Sequence, residues 1–110
     1  MVPSPRLLTM FSKREIKNLF SNARAVFKSA CITILKSPCI DYDFSRILVI
    51  TPRKVGNAPE RNKLKRRVKD IFYTKKMYEG KFNYIFLARK GAKEKSYKEL
   101  KKIFDRICPQ

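Results

Sequence analysis

Gly56-Asn57-Ala58-Pro59-Glu60-Arg61-Asn62-Lys63-Leu64-Lys65-Arg66-Arg67-Val68-Lys69-Asp70-Ile71-Phe72 carries two patterns at once. Its opening is a helix start. Asn57 or Ala58 stands as N-cap, and Pro59 falls in the first turn, where its missing N–H is not needed. Leu64, Val68, Ile71 and Phe72 then recur at i, i+4, i+7 and i+8, which is one apolar stripe. Asn62, Arg66 and Lys69 fall opposite that stripe, with Lys65 between. The segment therefore predicts a helix with one face in a core and a row of cations plus one amide toward solvent.

From Arg53 to Lys69 there are eight basic residues and a single acidic one, Glu60. Ion pairs at i, i+4 cannot account for a face so poor in carboxylates, so an ordinary salt-bridged surface helix is the weaker explanation. Arginine holds phosphate through two parallel bonds, lysine supplies a point charge, and a helix N-terminus adds to the anion field. The pattern is the footprint of a nucleic-acid contact.

The rest of the composition agrees. The chain has 110 residues, 27 of them basic and 9 acidic, for a net charge of +18. A single small domain is expected. A hydrophobic fraction of 44% supports a folded core and excludes a disordered polybasic tail. Such a charge repels itself unless a polyanion neutralises it, and nucleic acid is the foremost partner. A membrane surface is the other anionic class. It is disfavoured because the chain has no Trp and the apolar stripe is needed for the core.

Working outward, residues 1–8 hold two prolines without periodicity and read as a loose tail, with the domain over 9–110. Ser12-Lys13-Arg14-Glu15 is a capping box, with Phe11 and Ile16 placed as a hydrophobic staple. A helix over about 13–22 follows, with Ile16, Leu19, Phe20 and Ala23 on one face. Cys31 to Leu35 reads as a strand, and Pro38 to Ser45 as a loop holding Asp41 and Asp43. Arg46 to Thr51 is the strongest strand signal, and its continuous apolar run suggests burial on both faces. Tyr84 to Ala88 is another strand. Ser96-Tyr97-Lys98-Glu99 opens a last helix whose inward face is Tyr97, Leu100, Ile103, Phe104 and Ile107, stopped by Pro109. One further short strand belongs near 25–28 or 53–55. The order is α-β-β-(β)-α-β-α, an α/β (α+β) sandwich with a three- to four-stranded sheet.

Catalytic machinery is not apparent. There is no histidine, and the nine carboxylates are scattered. Asp41 and Asp43 read as a solvated acidic turn rather than a metal site, which needs several convergent oxygens. Cys31, Cys39 and Cys108 fit no zinc spacing and read as reduced thiols, with Cys31 and Cys108 as small core residues. No apolar run reaches membrane-spanning length and the N-terminus lacks a signal-peptide core, so a cytoplasmic protein is expected.

Arg53-Lys54-Val55-Gly56-Asn57-Ala58-Pro59-Glu60-Arg61-Asn62-Lys63-Leu64-Lys65-Arg66-Arg67-Val68-Lys69-Asp70 resembles the signature of the bacterial ribonuclease P protein family. The resemblance extends over about residues 7–107. It implies a ribosomal-protein-like sandwich with a left-handed βαβ crossover, against the usual hand. It also implies a protein that binds a catalytic RNA and the 5′ leader of precursor tRNA, assisting removal of that leader. Chemistry would fall to Mg²⁺ held by the RNA, with one protein monomer per RNA and no small-molecule ligand. By position, Lys54, Arg61, Asn62, Lys63, Lys65, Arg66, Lys69 and Arg89 would face the catalytic RNA. Ile16, Phe20, Ile34 and Arg53 would line the leader cleft. Lys63 stands where the family usually has arginine, and Ile16 and Ile34 where it often has aromatics. Without the resemblance, Phe20 on the Ile16/Leu19 face reads as core. The rival readings are a generic RNA-binding or ribosomal protein, and a DNA-binding protein with its basic helix in a major groove.

Overall fold

A computed structural model describes residues 4–39 and 44–107. Three helices, α1 (Lys13–Ser21), α2 (Ala58–Thr74) and α3 (Tyr97–Ile107), accompany four strands: β1 (Arg24–Lys28), β2 (Ile32–Pro38), β3 (Ile47–Ile50) and β4 (Phe82–Ala88). The strands form one sheet in the order β1-β2-β4-β3. β1 and β4 run antiparallel to β2, while β3 runs parallel to β4 and reaches it through α2. The α+β class expected from the sequence is the one observed. The extra strand forms at Arg24–Lys28, and Arg53–Val55 is a 3-10 turn.

Register decides which side chains share a face. Ile34 sits opposite Phe86, and Phe86 opposite Val49. Strand alternation puts Ile32, Ile34, Tyr84, Phe86, Ala88, Ile47 and Val49 on one side of the sheet. That side carries the core, covered by Leu64, Val68, Ile71 and Phe72 of α2 and by Leu100 and Phe104 of α3. The Phe86 and Phe104 rings stack at 6.1 Å, and Phe72 meets Tyr84 edge-on at 6.2 Å. Leu35, Leu48, Ile85 and Leu87 fall on the opposite side.

Two expectations are corrected. β3 is a sheet edge; only Ile47 is fully buried there, and Leu48, Val49 and Ile50 are half-buried. A continuous apolar run does not distinguish a central strand from an edge strand whose partial cover comes from elsewhere in the chain. The loose tail expected over residues 1–8 does not extend through its last residues. Pro5–Thr9 form a 3-10 turn beside α2 and β3, and Leu8, 2% exposed, joins the core. One buried leucine leaves no periodicity to read.

The helix starts follow the sequence closely. Ser12 and Glu15 bond reciprocally, as do Asn57 and Glu60, so Asn57 is the N-cap of α2. Ser96 and Glu99 exchange the same pair of bonds before α3. Cys31 is half-buried against the core; Asp41, Asp43, Cys108 and Pro109 lie outside the described residues. No helix among the described residues is long and apolar enough to cross a membrane. Replacing Phe104, whose ring is fully buried on Phe86, by alanine should lower the unfolding free energy by about 3–5 kcal/mol. Urea unfolding reads it, and a loss below about 1 kcal/mol would place Phe104 outside the core.

Candidate nucleic-acid interface

α2 is held in one rotation by its buried stripe, and this sets what it shows to solvent. Asn62 and Arg66 are exposed, Lys65 and Lys69 half-exposed, and all four border one open depression. Glu60, the one carboxylate in the first half of the helix, does not offset them. One of its oxygens accepts the Asn57 N–H at 2.9 Å and the other accepts Lys93 Nζ at 2.9 Å. The Lys93 bond, then the Asn57 bond, holds the Glu60 carboxyl below its ordinary range. A Cβ at Gly56 would lie 2.7 Å from Glu60 Oε1, so a larger residue there would displace the capping carboxylate.

The other expected contacts divide. Lys54 and Arg89 are exposed beyond the ends of β3 and β4. Lys63 is exposed on a different flank of α2, in a groove with Glu60, Arg67, Lys93 and Glu94. Arg61 is half-buried beside the core, its Nε without a protein partner. Arg67 is drawn out of the basic row: Nη1 donates to the Lys95 carbonyl at 2.9 Å and ties α2 to the start of α3. Between the helices the Tyr97 hydroxyl donates to Asp70 at 2.7 Å, and that bond raises the phenol's pKa.

The expected leader-cleft residues are not all brought together. Ile34 is fully buried on the α2/α3 side of the sheet, opposite Phe86, and has no surface for a ligand. Its place is corrected: alternation along β2 sends Leu35, one residue on, to the other side. α1 meets that side at the strand ends, where Glu15, Asn18 and Leu19 share a cavity with Ser37 and Asn83. Leu19 is buried, Ile16 is half-buried and Phe20 remains 41% exposed, so Phe20 is not a core residue. Half-buried Leu35, Leu48, Ile50 and Leu87 form an apolar floor on that side. Arg53 is exposed in the turn after β3.

The sequence reading missed a polar cavity on the other flank of α1. Asn18, Asn22 and Glu15 line it from the helix, and Ser37, Asn83 and Arg46 from the strand ends. Arg46 is its anchor, 3% exposed. Its guanidinium donates to Glu15 Oε2 and to the Met10 carbonyl, both at 2.7 Å, and lies 4.3 Å from the Phe11 ring centroid. Its backbone N–H donates to Asn83 Oδ1 at 2.8 Å. Glu15 thus closes the cap of α1 and the clamp to the sheet together. Polar residues at strand ends were the available signal, but nothing local shows that Arg46 turns inward.

A family model described as Ribonuclease P matches residues 5–110. The chain is 34% identical to a ribonuclease P protein component from Petrotoga mobilis, over 71% of this chain and 65% of that one. It is 31% identical to one from Halalkalibacterium halodurans, over 60% and 56%. A third, from Photobacterium profundum, is 31% identical over 93% of this chain and 86% of its own. The chain thus spans less than two thirds of the first two relatives' lengths. In fold it is similar to the RNase P protein of Staphylococcus aureus, with a TM-score of 0.77, 19% identity and 91% of each chain covered. That of Thermotoga maritima gives a TM-score of 0.73 at 24% identity, covering 90% of this chain and 94% of that one.

The Arg46 bond, then the Ser12 backbone bond, lowers the Glu15 pKa below its ordinary 4.5. The stability this contributes is present above that ordinary value and is lost as pH falls through the folded-state value. Glu15→Gln should therefore lower the unfolding free energy at pH 7 by about 1–3 kcal/mol and flatten its decline on acidification. Denaturant melts across pH 3–7 measure both. An unchanged acid limb would mean the clamp carries no linkage.

Proposed function

The chain belongs to the bacterial ribonuclease P protein family, and on that premise we propose that it is the RNA-binding subunit of ribonuclease P. It binds a catalytic RNA through the outward face of α2 and the 5′ leader of precursor tRNA on the α1 side of the sheet. The observation that carries this reading is the α2 face. Asn62, Lys65, Arg66 and Lys69 stand together while Glu60 is held by Asn57 and Lys93. Phosphates approaching that face meet cations whose counterions are released on binding.

The leader occupies the other side. Exposed Phe20 on α1, together with half-buried Leu35, Leu48, Ile50 and Leu87 on that side of the sheet, suits unpaired bases, which stack on aromatics largely irrespective of sequence. Lys54, Arg61, Lys63 and Arg89 supplement the catalytic-RNA contact, and Ile16 and Arg53 that of the leader. The protein acts in the cytoplasm as one monomer per RNA.

Hydrolysis belongs to Mg²⁺ held by the RNA, and the protein orients the two RNAs. Five of its nine carboxylates already have structural partners. Glu15, Glu60 and Glu99 are engaged in helix caps, and Asp70 and Asp105 by Tyr97 and Lys75.

Reconstitution tests the reading. With catalytic RNA the chain should speed leader removal at low Mg²⁺, and alone it should cut nothing; robust cutting by the protein alone would refute the division of labour. Arg66→Ala should weaken catalytic-RNA binding and reduce its salt slope by about one. Phe20→Ala should cost about 1–3 kcal/mol of binding to leader-bearing substrate, with leaderless tRNA unaffected. Equal losses on both substrates would place Phe20 away from the leader.

A further inference from the structure

α3 carries a cationic surface that neither of these contacts uses. Its inward side is filled by Leu100 and Phe104, with Ile103 and Ile107 partly buried, which leaves Lys98, Lys101, Lys102 and Arg106 exposed. The acidic groups beside them have closer partners, though Glu99 also feels the charge of Lys102. Glu99 accepts the Ser96 N–H at 3.0 Å and pairs with Lys95 at 3.8 Å, and Asp105 pairs with Lys75. None of the four cations has an ion pair among the described residues. Lys98, Lys102 and Arg106 follow one another at i, i+4, an arrangement of like charges that destabilises a helix standing alone.

Placement says what would relieve that repulsion. α2 and α3 cover the same side of the sheet, so their outward faces look the same way. The seam between them is closed by Tyr97 on Asp70, Lys75 on Asp105 and Arg67 on the Lys95 carbonyl. Asp105 is charge-paired with Lys75, and Asp70, held by the Tyr97 hydroxyl beside Arg66 and Lys69, is the one carboxylate at the seam that keeps its charge. The α1 side, with Phe20, lies across the sheet. We propose that the outward stripe of α3, Lys98, Lys101, Lys102 and Arg106, is a second binding strip for the phosphate backbone of the catalytic RNA. It continues the α2 surface and takes no part in holding the leader. This rests on the ribonuclease P reading and extends it to a surface that the family signature does not include.

The test uses the full chain and catalytic RNA over a series of salt concentrations. The double variant Lys98→Gln/Lys102→Gln replaces two helix formers by another and is checked first by its melting temperature. Its log–log salt slope should fall by roughly two, while Lys98→Arg/Lys102→Arg keeps the full slope. Preference for leader-bearing over leaderless precursor tRNA in the holoenzyme should stay the same. An unchanged slope for the glutamine variant, with Arg66→Ala still reducing it, overturns the α3 strip and leaves the α2 reading standing. No change in either variant removes both. Lysine acylation of the unmodified protein gives an answer independent of folding of the variants. Lys98, Lys101 and Lys102 should be protected when catalytic RNA is bound, and labelling at the free-protein rate would overturn the proposal.

Discussion

The rotation of α2 about its own axis is the constraint on which the rest depends. Leu64, Val68, Ile71 and Phe72 are buried against the sheet, each worth roughly 1.5–3 kcal/mol relative to exposure. Turning the helix would expose them and bury Lys65 or Arg66, and an unpaired buried charge is far costlier than a solvated one. The cations are therefore turned outward by the core, whether or not RNA is present. The Asn57–Glu60 cap and the Lys93 ion pair then take up Glu60, the one carboxylate in the first half of the helix. An interface that polyanions can use follows from packing alone.

The two sides of the sheet divide the work. One is covered by α2 and α3, whose outer surfaces are basic. The other carries α1 and leaves Phe20, Leu35, Leu48, Ile50 and Leu87 partly open. α1 is fixed there by buried Leu19 and by the Arg46 clamp, in which a buried guanidinium joins Glu15, the Met10 carbonyl and the Phe11 ring. A charged clamp suits a helix that borders a partly exposed floor, since its bonds are directional where apolar contact is not.

How much of this was legible follows from what each signal encodes. α2 was readable because its stripe, its cap and its cations are all local, and only the choice between Asn57 and Ala58 as N-cap was left to the structure. The row of Asn62, Lys65, Arg66 and Lys69 was readable, but charge alone did not separate from it Lys63, which lies on another flank, or half-buried Arg61. β2 was found but its facing was not. Ile32, Thr33, Ile34 and Leu35 are nearly all apolar, so period-two alternation gives no phase, and Ile34 was assigned to the side that Leu35 occupies. Arg46 was missed because its partners lie 31 and 36 residues away. The same non-locality hid the burial of Leu8 and the edge position of β3.

The central claim is that the sheet separates two RNA-binding sides, and amide chemical shifts of the labelled protein test it directly. Titration with a short single-stranded RNA of leader length should move amides of α1, together with Leu35, Leu48, Ile50 and Leu87, and leave Asn62 to Lys69 in place. Shifts centred on Asn62 to Lys69, with α1 still, would contradict the account.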